Sequence, residues 1–268
     1  MDSLSFDNMA ELYNETRVYD DRCFDAALAF FSDRFPPDEF KNVFYPGIGM
    51  GRIAIPLAER GYNITGIDIS ENMLTLLKER LELAGRSLPI SIQKADVLDL
   101  PFADASFDIA VAVHFFYFVP QWERAVDEIL RVIKEGGRLV LLHTGTGTEV
   151  PFINERYKAI CAAQDCPIPL LGVESSSEVT DYCESLGYST EWIRDRWQWT
   201  TRIKLDKALD YYRSRAYSFT TFAPDEIHTR TVESLAFELQ RRFGSLAAEI
   251  QVPNQIYFAL ISRSGYSA

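Results

Sequence analysis

Residues 42–52 read NVFYPGIGMGR, a short apolar run followed by three glycines at alternate positions, Gly47, Gly49 and Gly51. The apolar run predicts a buried strand, and residues 51–60 predict a helix, so the glycines fill the turn between them. Core packing alone does not require such a turn. Glycines let a ligand approach the backbone, and the amides at the start of a helix favour a polar or anionic group. The segment therefore predicts a strand–turn–helix unit that holds a small ligand.

Strand and helix patterns continue to alternate around this unit for about one hundred residues. Further strands are predicted at 63–69, 89–96, 107–113 and 138–144, and further helices after Ser70 and at 122–133, with Gly136-Gly137 as the stop of the last helix. Strict alternation predicts a doubly wound parallel sheet. Such sheets bind ligands beyond the carboxyl ends of their strands, so the residues that follow each strand are candidates for a site.

The parts of the chain outside this alternation are predicted to cover the sheet. Residues 1–35 have a helical pattern, which the prolines at 36–37 end. Residues 188–203 predict one long strand or two short ones, and residues 255–263 predict the last strand. Residues 204–250 are mostly helical in pattern, lie between those strands, and are expected to cap the ligand edge.

The composition of the 268-residue chain argues against several classes of protein. A content of 47% hydrophobic residues supports a sizeable core and argues against disorder. A net charge of −12 repels phosphate backbones, which argues against a nucleic-acid partner. The apolar run at 115–119 is too short to span a bilayer, and the first residues lack the pattern of a secretion signal. The four cysteines form no CxxC pair, so we expect reduced thiols, a cytoplasmic location and no zinc site.

Two acids indicate what the glycine turn binds. Asp68 ends the second predicted strand, at a spacing where an acid accepts both hydroxyls of a ribose. Asp96 ends the third strand, where a carboxylate can accept a hydrogen bond from an adenine amino group, with Ile69 and Val97 flanking the ring. A dinucleotide and S-adenosylmethionine both fit this pattern. The dinucleotide fingerprint has a third glycine where this chain has Arg52, and the shorter spacing suits a ligand without a pyrophosphate.

Four pieces of the sequence together resemble the class I S-adenosylmethionine-dependent methyltransferases, and within them the methyltransferase type 11 group. The pieces are PGIGMGR, RGYNITGIDISENML, KADVLDLPFADASFD and RVIKEGGRLVL, all between residues 40 and 143, and FDNMAELYNETR near the start adds to the resemblance. The resemblance implies an α/β fold with a Rossmann-like, doubly wound, mostly parallel seven-stranded sheet and, in this chain, a helical cap insertion. The expected domains are an N-terminal helical segment over the cofactor site (1–35), a core (36–203 and 251–268) and the cap (204–250).

The same resemblance assigns a cofactor site. It implies that the cofactor is S-adenosyl-L-methionine and that the residues around it are Gly47, Gly49, Gly51, Asp68, Asp96 and Val97, with Tyr13 in the segment that folds over it. The positions of Ile69 and His114 after their strands add these two residues to the expected contacts. One position departs from the family pattern. Members usually carry Asp or Glu two residues before the first glycine, whereas this chain has Tyr45. The expectation is therefore that backbone carbonyls or water meet the ammonium group of the cofactor, or that the cofactor binds weakly.

Methyl transfer needs a nucleophile in line with the methyl group, exclusion of water and, for some acceptors, a base. His114 directly follows the fourth strand and is predicted as that base or as a contact of the methionine end; a histidine bonded to backbone is the alternative. Tyr13 lies in the segment that folds over the cofactor in the family, and it is predicted to close the site, with Arg17 on the same helix face. Surface placement is the alternative for both. His143 and Tyr117 are further candidates, with core packing as the alternative for Tyr117.

The sequence thus predicts a methyltransferase that uses S-adenosylmethionine, acts on a small molecule and needs no metal, since no acid cluster has a metal-ligand pattern. Aromatic residues between 192 and 222 are expected to form the core of the cap or an apolar acceptor pocket. Two alternatives stay open. One is a non-catalytic binder of an adenosyl ligand, which Tyr45 favours, and the other is an NAD-dependent oxidoreductase. The sequence specifies neither the acceptor atom nor the oligomeric state.

Overall fold

The central sheet has seven strands in the computed structural model, which describes residues 18–83, 85, 87–145 and 150–263. The strands are β1 (Asn42–Pro46), β2 (Asn63–Asp68), β3 (Ile90–Lys94), β4 (Phe107–Val113), β5 (Ile133–Thr144), β6 (Tyr188–Lys204) and β7 (Glu249–Arg263). Their order across the sheet is β3-β2-β1-β4-β5-β7-β6. Strands β1 to β5 run parallel, whereas β7 is antiparallel to both of its neighbours. The predicted fold class, a doubly wound and mostly parallel seven-stranded sheet, is confirmed.

Helices cover both faces of this sheet. They are α1 (Asp21–Arg34), α2 (Ala54–Glu59), α3 (Glu71–Leu83), α4 (Trp122–Val132), α5 (Pro151–Ala162), α6 (Ser176–Ser185), α7 (Leu205–Arg213) and α8 (Asp225–Phe243). On one face, Leu28, Leu57 and Leu77 of the first three helices pack against apolar side chains of the strands. On the other face, Ile129 of α4 and Val179 of α6 do the same. Because it is covered on both faces, β4 is apolar at nearly every position.

Strands β6 and β7 extend beyond the sheet as a two-stranded ribbon. Residues 249–255 of β7 pair with β6 alone. Residues 256–261 pair with β5 and, except for Tyr257, also with β6. Helices α5, α7 and α8 form a separate apolar cluster with the ribbon residues Ile203 and Val252. The predicted cap at 204–250 contains α7 and α8, and α5 joins them from outside that range. The domain boundaries stay a prediction.

The junction between α4 and β5 differs from the sequence prediction. The helix ends at Val132, before the predicted stop at Gly136-Gly137, because Ile133 already pairs with Phe107 of β4. The second glycine has a packing role within the sheet, since a Cβ at that position would lie 2.6 Å from the carbonyl oxygen of Asp108. A glycine pair that looks like a helix stop thus belongs to the strand. Strand β6, predicted as one long strand or two, is one strand with irregular pairing in its middle.

The N-terminal segment is described from residue 18 onward. Asp20 caps α1, because its carboxylate accepts a hydrogen bond from the amide of Cys23 at 2.9 Å. Tyr13 and Arg17 lie outside the described residues. Within the described ranges, no helix combines the length and the apolar character that a membrane span requires.

Candidate functional site

The glycine turn that follows β1 holds three residues in the left-handed region. Gly47, Gly49 and Gly51 have φ angles of +62°, +52° and +75°, which residues with a side chain rarely adopt. For this reason α2 begins at Ala54, whereas the sequence predicted a helix from residue 51. A Cβ on the third glycine would lie 2.5 Å from Cδ1 of Leu77, so this glycine packs inward. A Cβ on the second glycine would have no atom beyond its chain neighbours within 4 Å, so its backbone faces open space.

Asp68 is the last residue of β2 and ties the glycine turn to that strand. Its Oδ2 accepts a hydrogen bond from the amide of Gly49, and its Oδ1 accepts one from the amide of Ser70, both at 2.9 Å. These groups meet because the parallel neighbours β1 and β2 end at the same edge of the sheet. Asp68 thus fixes the glycine turn to the end of β2.

The tip of β3 adds a second carboxylate. Asp96 is exposed, and its Oδ1 accepts a hydrogen bond from the amide of Leu98 at 3.0 Å. Val97 beside it is buried, and Ile69 follows the neighbouring strand β2. An exposed carboxylate next to two apolar side chains suits a flat ring with a polar edge, as in adenine.

His114 follows β4 and also has a positive φ, +50°. Its Nε2 lies 2.9 Å from the carbonyl oxygen of Thr144 and 3.1 Å from the amide nitrogen of the same residue. In either tautomer this nitrogen is bonded to backbone at the end of β5, as the alternative interpretation of the sequence expected. The hydroxyl of Tyr19, just before α1, lies 3.5 Å from the Thr144 hydroxyl. The imidazole of His114 is therefore fixed between the ends of β4 and β5.

These residues meet at one open pocket at the ligand edge of the sheet. The pocket is lined by Gly47, Gly49, Ile67, Asp68, Ile69, Met73, Ala95, Asp96, Val97, Val113, His114, Phe115, Phe118 and Val119. Of the predicted cofactor residues, all but Gly51 and Tyr13 are in this set. Gly51 supports the turn by its packing, and Tyr13 lies outside the described residues. The roles of these residues stay predictions.

The aromatic wall of the pocket was not predicted. Phe115 and Phe118 belong to the FFYFV run after β4, of which only Tyr117 was named as a candidate. Phe115 also touches the glycine turn, since a Cβ on Gly47 would lie 2.6 Å from its Cδ2. The signal was available, because an apolar run directly after a parallel strand lies at the ligand edge.

His143 lies near the end of β5 among aromatic rings. Its ring centroid lies 4.2 Å from that of His114 and 4.5 Å from that of Tyr257 on β7, on which it stacks. Its Nδ1 is buried and has no hydrogen-bond partner within the described residues. Burial lowers the pKa of His143 to about 4 and raises the pKa of Tyr257 to about 12. Both side chains are therefore neutral at pH 7.

Tyr45 occupies the position where the family usually has an acid. It is 3% exposed and belongs to the apolar cluster on the α1 face of the sheet. Its ring is thus part of the core, and it does not line the pocket. The described residues also contain no group of three or more His, Cys, Asp or Glu side chains arranged to hold a metal ion.

Residues 44–141 match a family model described as a methyltransferase domain. The matched range starts in β1, ends in β5 and includes the glycine turn, Asp68 and Asp96. This part of the chain is a methyltransferase domain of the class I, S-adenosylmethionine-dependent group, and the resemblance seen in the sequence is confirmed.

Curated relatives resemble part of the chain. Sterol 4-C-methyltransferase strm-1 of Caenorhabditis elegans is 29% identical over 134 residues, which are 49% of this chain and 40% of that protein. Demethylmenaquinone methyltransferase of Desulfitobacterium hafniense is 40% identical over 90 residues, which are 34% of this chain and 35% of that protein. The matches thus span less than half of these relatives.

Solved structures extend the likeness to the whole fold. The YcgJ protein of Bacillus subtilis superposes with a TM-score of 0.61 at 18% identity, over 90% of this chain and 100% of that chain. At this level of identity the likeness concerns the fold, and function has to be argued from the site.

Proposed function

We propose that this chain transfers the methyl group of S-adenosylmethionine to a small molecule by in-line displacement, without a metal ion. The observation that carries the proposal is the pocket at the carboxyl ends of β1 to β4. There, the backbone of the glycine turn, the carboxylates of Asp68 and Asp96, and an aromatic wall lie together within a methyltransferase domain.

The residues of the pocket fit the cofactor part by part. Asp68 would accept hydrogen bonds from the ribose hydroxyls while it holds the amide of Gly49. Asp96 would accept one from the adenine amino group, with Ile69 and Val97 against the ring. The open space at Gly49 leaves room for the methionine part beside the backbone. When bound, S-adenosylmethionine supplies a methyl group that the sulfonium already activates.

The protein's own task is then to place the acceptor and exclude water. Phe115 and Phe118 form an apolar wall beside the glycine turn. His114, fixed by the backbone of Thr144, stands where β4 ends and faces the same pocket. A small molecule is the proposed acceptor because the relatives are named for a sterol and a menaquinone precursor.

Isothermal titration with S-adenosylmethionine and S-adenosylhomocysteine tests the proposal. We expect both compounds to bind. The absence of binding of either compound at millimolar concentration would overturn the cofactor assignment. Protection by NAD in a thermal-shift assay, without protection by S-adenosylhomocysteine, would favour an oxidoreductase instead.

Catalysis needs a separate test, because a non-catalytic binder would pass the titration. The protein is incubated with methyl-labelled S-adenosylmethionine and a broad panel of small acceptors. Transfer of label to any acceptor supports an enzyme. Tight cofactor binding without transfer across the panel supports the binding protein.

A further inference from the structure

Four side chains form a polar group beside the cofactor pocket, and none of them lines it. They are Tyr117 in the turn after β4, His143 on β5, Ser176 at the start of α6 and Tyr257 on β7, and we call them the acceptor cluster. The Tyr117 hydroxyl lies 3.1 Å from the Ser176 hydroxyl. His143 joins the cluster to the pocket, since its ring touches Tyr257 on one side and His114 on the other.

The Nδ1 atom of His143 is buried, and no described residue forms a hydrogen bond with it. Buried polar atoms without a partner are uncommon in folded proteins, and each one points to strain, a function or a ligand. Because burial keeps the ring neutral at pH 7, one ring nitrogen donates a hydrogen bond and the other accepts one. In the tautomer that carries its proton on Nε2, Nδ1 accepts, and a ligand that donates an O–H group would satisfy it.

The surroundings of the cluster do not favour a cationic ligand. The guanidinium of Arg194 lies 3.9 Å from the ring centroid of Trp192 and 5.7 Å from that of Tyr257. The carboxylate of Glu178, in the same helix as Ser176, accepts hydrogen bonds from two backbone amides at the start of that helix. A positive group thus stands at the aromatic rings, and the nearby negative group is held by the helix cap. A neutral ligand with a flat apolar frame suits these rings.

We propose that the acceptor cluster is the methyl-acceptor subsite and that it takes a phenol, whose hydroxyl donates to Nδ1 of His143. This inference rests on the proposed function, because the subsite has meaning only next to a bound methyl donor. The place of His143 supports it, since the ring contacts His114 at the edge of the cofactor pocket.

The reaction balances with these groups alone. A lone pair of the phenol oxygen forms a bond to the methyl carbon, and the electrons of the breaking C–S bond go to sulfur, which becomes a neutral thioether. The hydroxyl proton passes to Nδ1 of His143 and leaves to water with the product. A weak base is enough, because the oxygen becomes strongly acidic as its bond to carbon forms. His143 is thereby a catalytic base for a hydroxyl acceptor.

Ligand-observed NMR on the whole protein saturated with S-adenosylhomocysteine tests the subsite apart from activity. The probes are 4-methylphenol, 4-methylanisole and 4-methylaniline, which share one frame and differ in the polar group. We expect 4-methylphenol to bind roughly tenfold more tightly than 4-methylanisole, since only the phenol donates to the buried nitrogen. Equal binding of the phenol and the anisole, preference for the aniline, or no binding of the phenol would overturn the proposal.

The His143→Phe variant connects this preference to the nitrogen. It keeps a ring against Tyr257 and removes Nδ1, so we expect the phenol to lose its preference while S-adenosylhomocysteine binds as before. His228→Phe is the matched control, because it removes another buried histidine, located in the cap cluster on α8. An unchanged phenol preference in His143→Phe would overturn the proposal. If that variant does not fold, the comparison of phenol with anisole on the wild-type protein decides alone. Failure of S-adenosylhomocysteine to bind would refute the proposed function instead.

Discussion

The two halves of the ligand edge are built in different ways. On the β1–β3 side, the carboxylates of Asp68 and Asp96 accept hydrogen bonds from backbone amides of the turns at the strand ends. The pair Gly49 and Asp68 is one example, and these residues are 19 positions apart. On the β4–β7 side, polar groups come from four separate elements, as in the pair Tyr117 and Ser176, which are 59 residues apart. One of them, Nδ1 of His143, has no hydrogen-bond partner among the described residues. The first half is fixed by its own hydrogen bonds before a ligand arrives, whereas the second contains a buried nitrogen that a ligand can bond.

This difference suggests a division of work. A preorganised half suits a ligand that never changes, which in our proposal is the cofactor. An incomplete half, made from distant elements, suits the part of the reaction that differs between relatives. The predictions below test one half against the other, beginning with the largest expected effect.

The largest effect is expected at Asp68. Asp68→Ala should weaken the binding of S-adenosylhomocysteine by about 2–4 kcal/mol, because charged hydrogen bonds to the ribose are lost. Isothermal titration measures this change, and a thermal melt shows whether the glycine turn still holds. Asp99→Ala is the control, since it removes the same charge from a nearby exposed position. An unchanged affinity in Asp68→Ala would refute its ribose role.

The second prediction concerns the acceptor side and the pH dependence of stability. Burial lowers the pKa of His143 to about 4, compared with an ordinary value of about 6.5 in an unfolded chain. Between these values the unfolded state binds the proton and the folded state does not. The contribution of neutral His143 to the free energy of unfolding is therefore fully present above pH 6.5. It falls by about 2–3 kcal/mol as the pH is lowered towards 4.

Urea unfolding of the wild-type protein and of His143→Phe at several pH values between 7 and 4 measures this contribution. The variant should lose less stability than the wild-type protein over that range. The comparison cancels the other groups that titrate there, including His228, whose pKa burial also lowers. Parallel curves for the two proteins would show that His143 is hydrated in the folded state.

The third prediction separates packing from binding within the glycine turn. Gly49→Ala and Gly51→Ala each place a side chain at a positive φ angle, which costs about 1–2 kcal/mol of stability in each variant. The second variant should lose roughly 1–2 kcal/mol more, because its Cβ meets Leu77. The first should weaken S-adenosylhomocysteine binding, because its Cβ enters the pocket. Gly244→Ala has a comparable φ and open surroundings, so it reports the backbone cost alone.

Urea unfolding and isothermal titration of the three alanine variants give these numbers. If Gly49→Ala binds S-adenosylhomocysteine as the wild-type protein does, the backbone at this residue does not face the cofactor. If Gly51→Ala is no less stable than Gly244→Ala, the contact with Leu77 relaxes at little cost.

The β1–β3 half could be predicted from sequence because its geometry is local. A glycine turn after one strand and acids at the tips of the next two, Asp68 and Asp96, give the whole arrangement once the strands are parallel. The local pattern did not predict that the side chain of Tyr45 packs into the core. The family usually has an acid at this position.

The β4–β7 half could not be predicted in the same way. Tyr257 meets His143 only because β7 inserts between β5 and β6 in the antiparallel sense. Its partner across the sheet depends on register, which the sequence of β7 alone does not specify. Helix α5 likewise joins the cap through contacts with α8, although residues 204–250 alone had been assigned to the cap. Long-range pairing decides both, and no spacing rule reports it.

The smallest effect is expected at Asp96, where water competes with the ligand because the carboxylate is exposed. S-inosylhomocysteine carries an exocyclic carbonyl oxygen on C6 where S-adenosylhomocysteine carries the amino group. The wild-type protein should bind the inosyl compound more weakly by about 1 kcal/mol, since this oxygen cannot donate to the carboxylate. Asp96→Ala should lose most of that preference while it keeps the stacking against Val97. Titration of both proteins with both compounds forms a double cycle whose coupling energy is the hydrogen bond itself. A coupling near zero would place the adenine amino group away from Asp96 and leave ring packing as the main adenine contact.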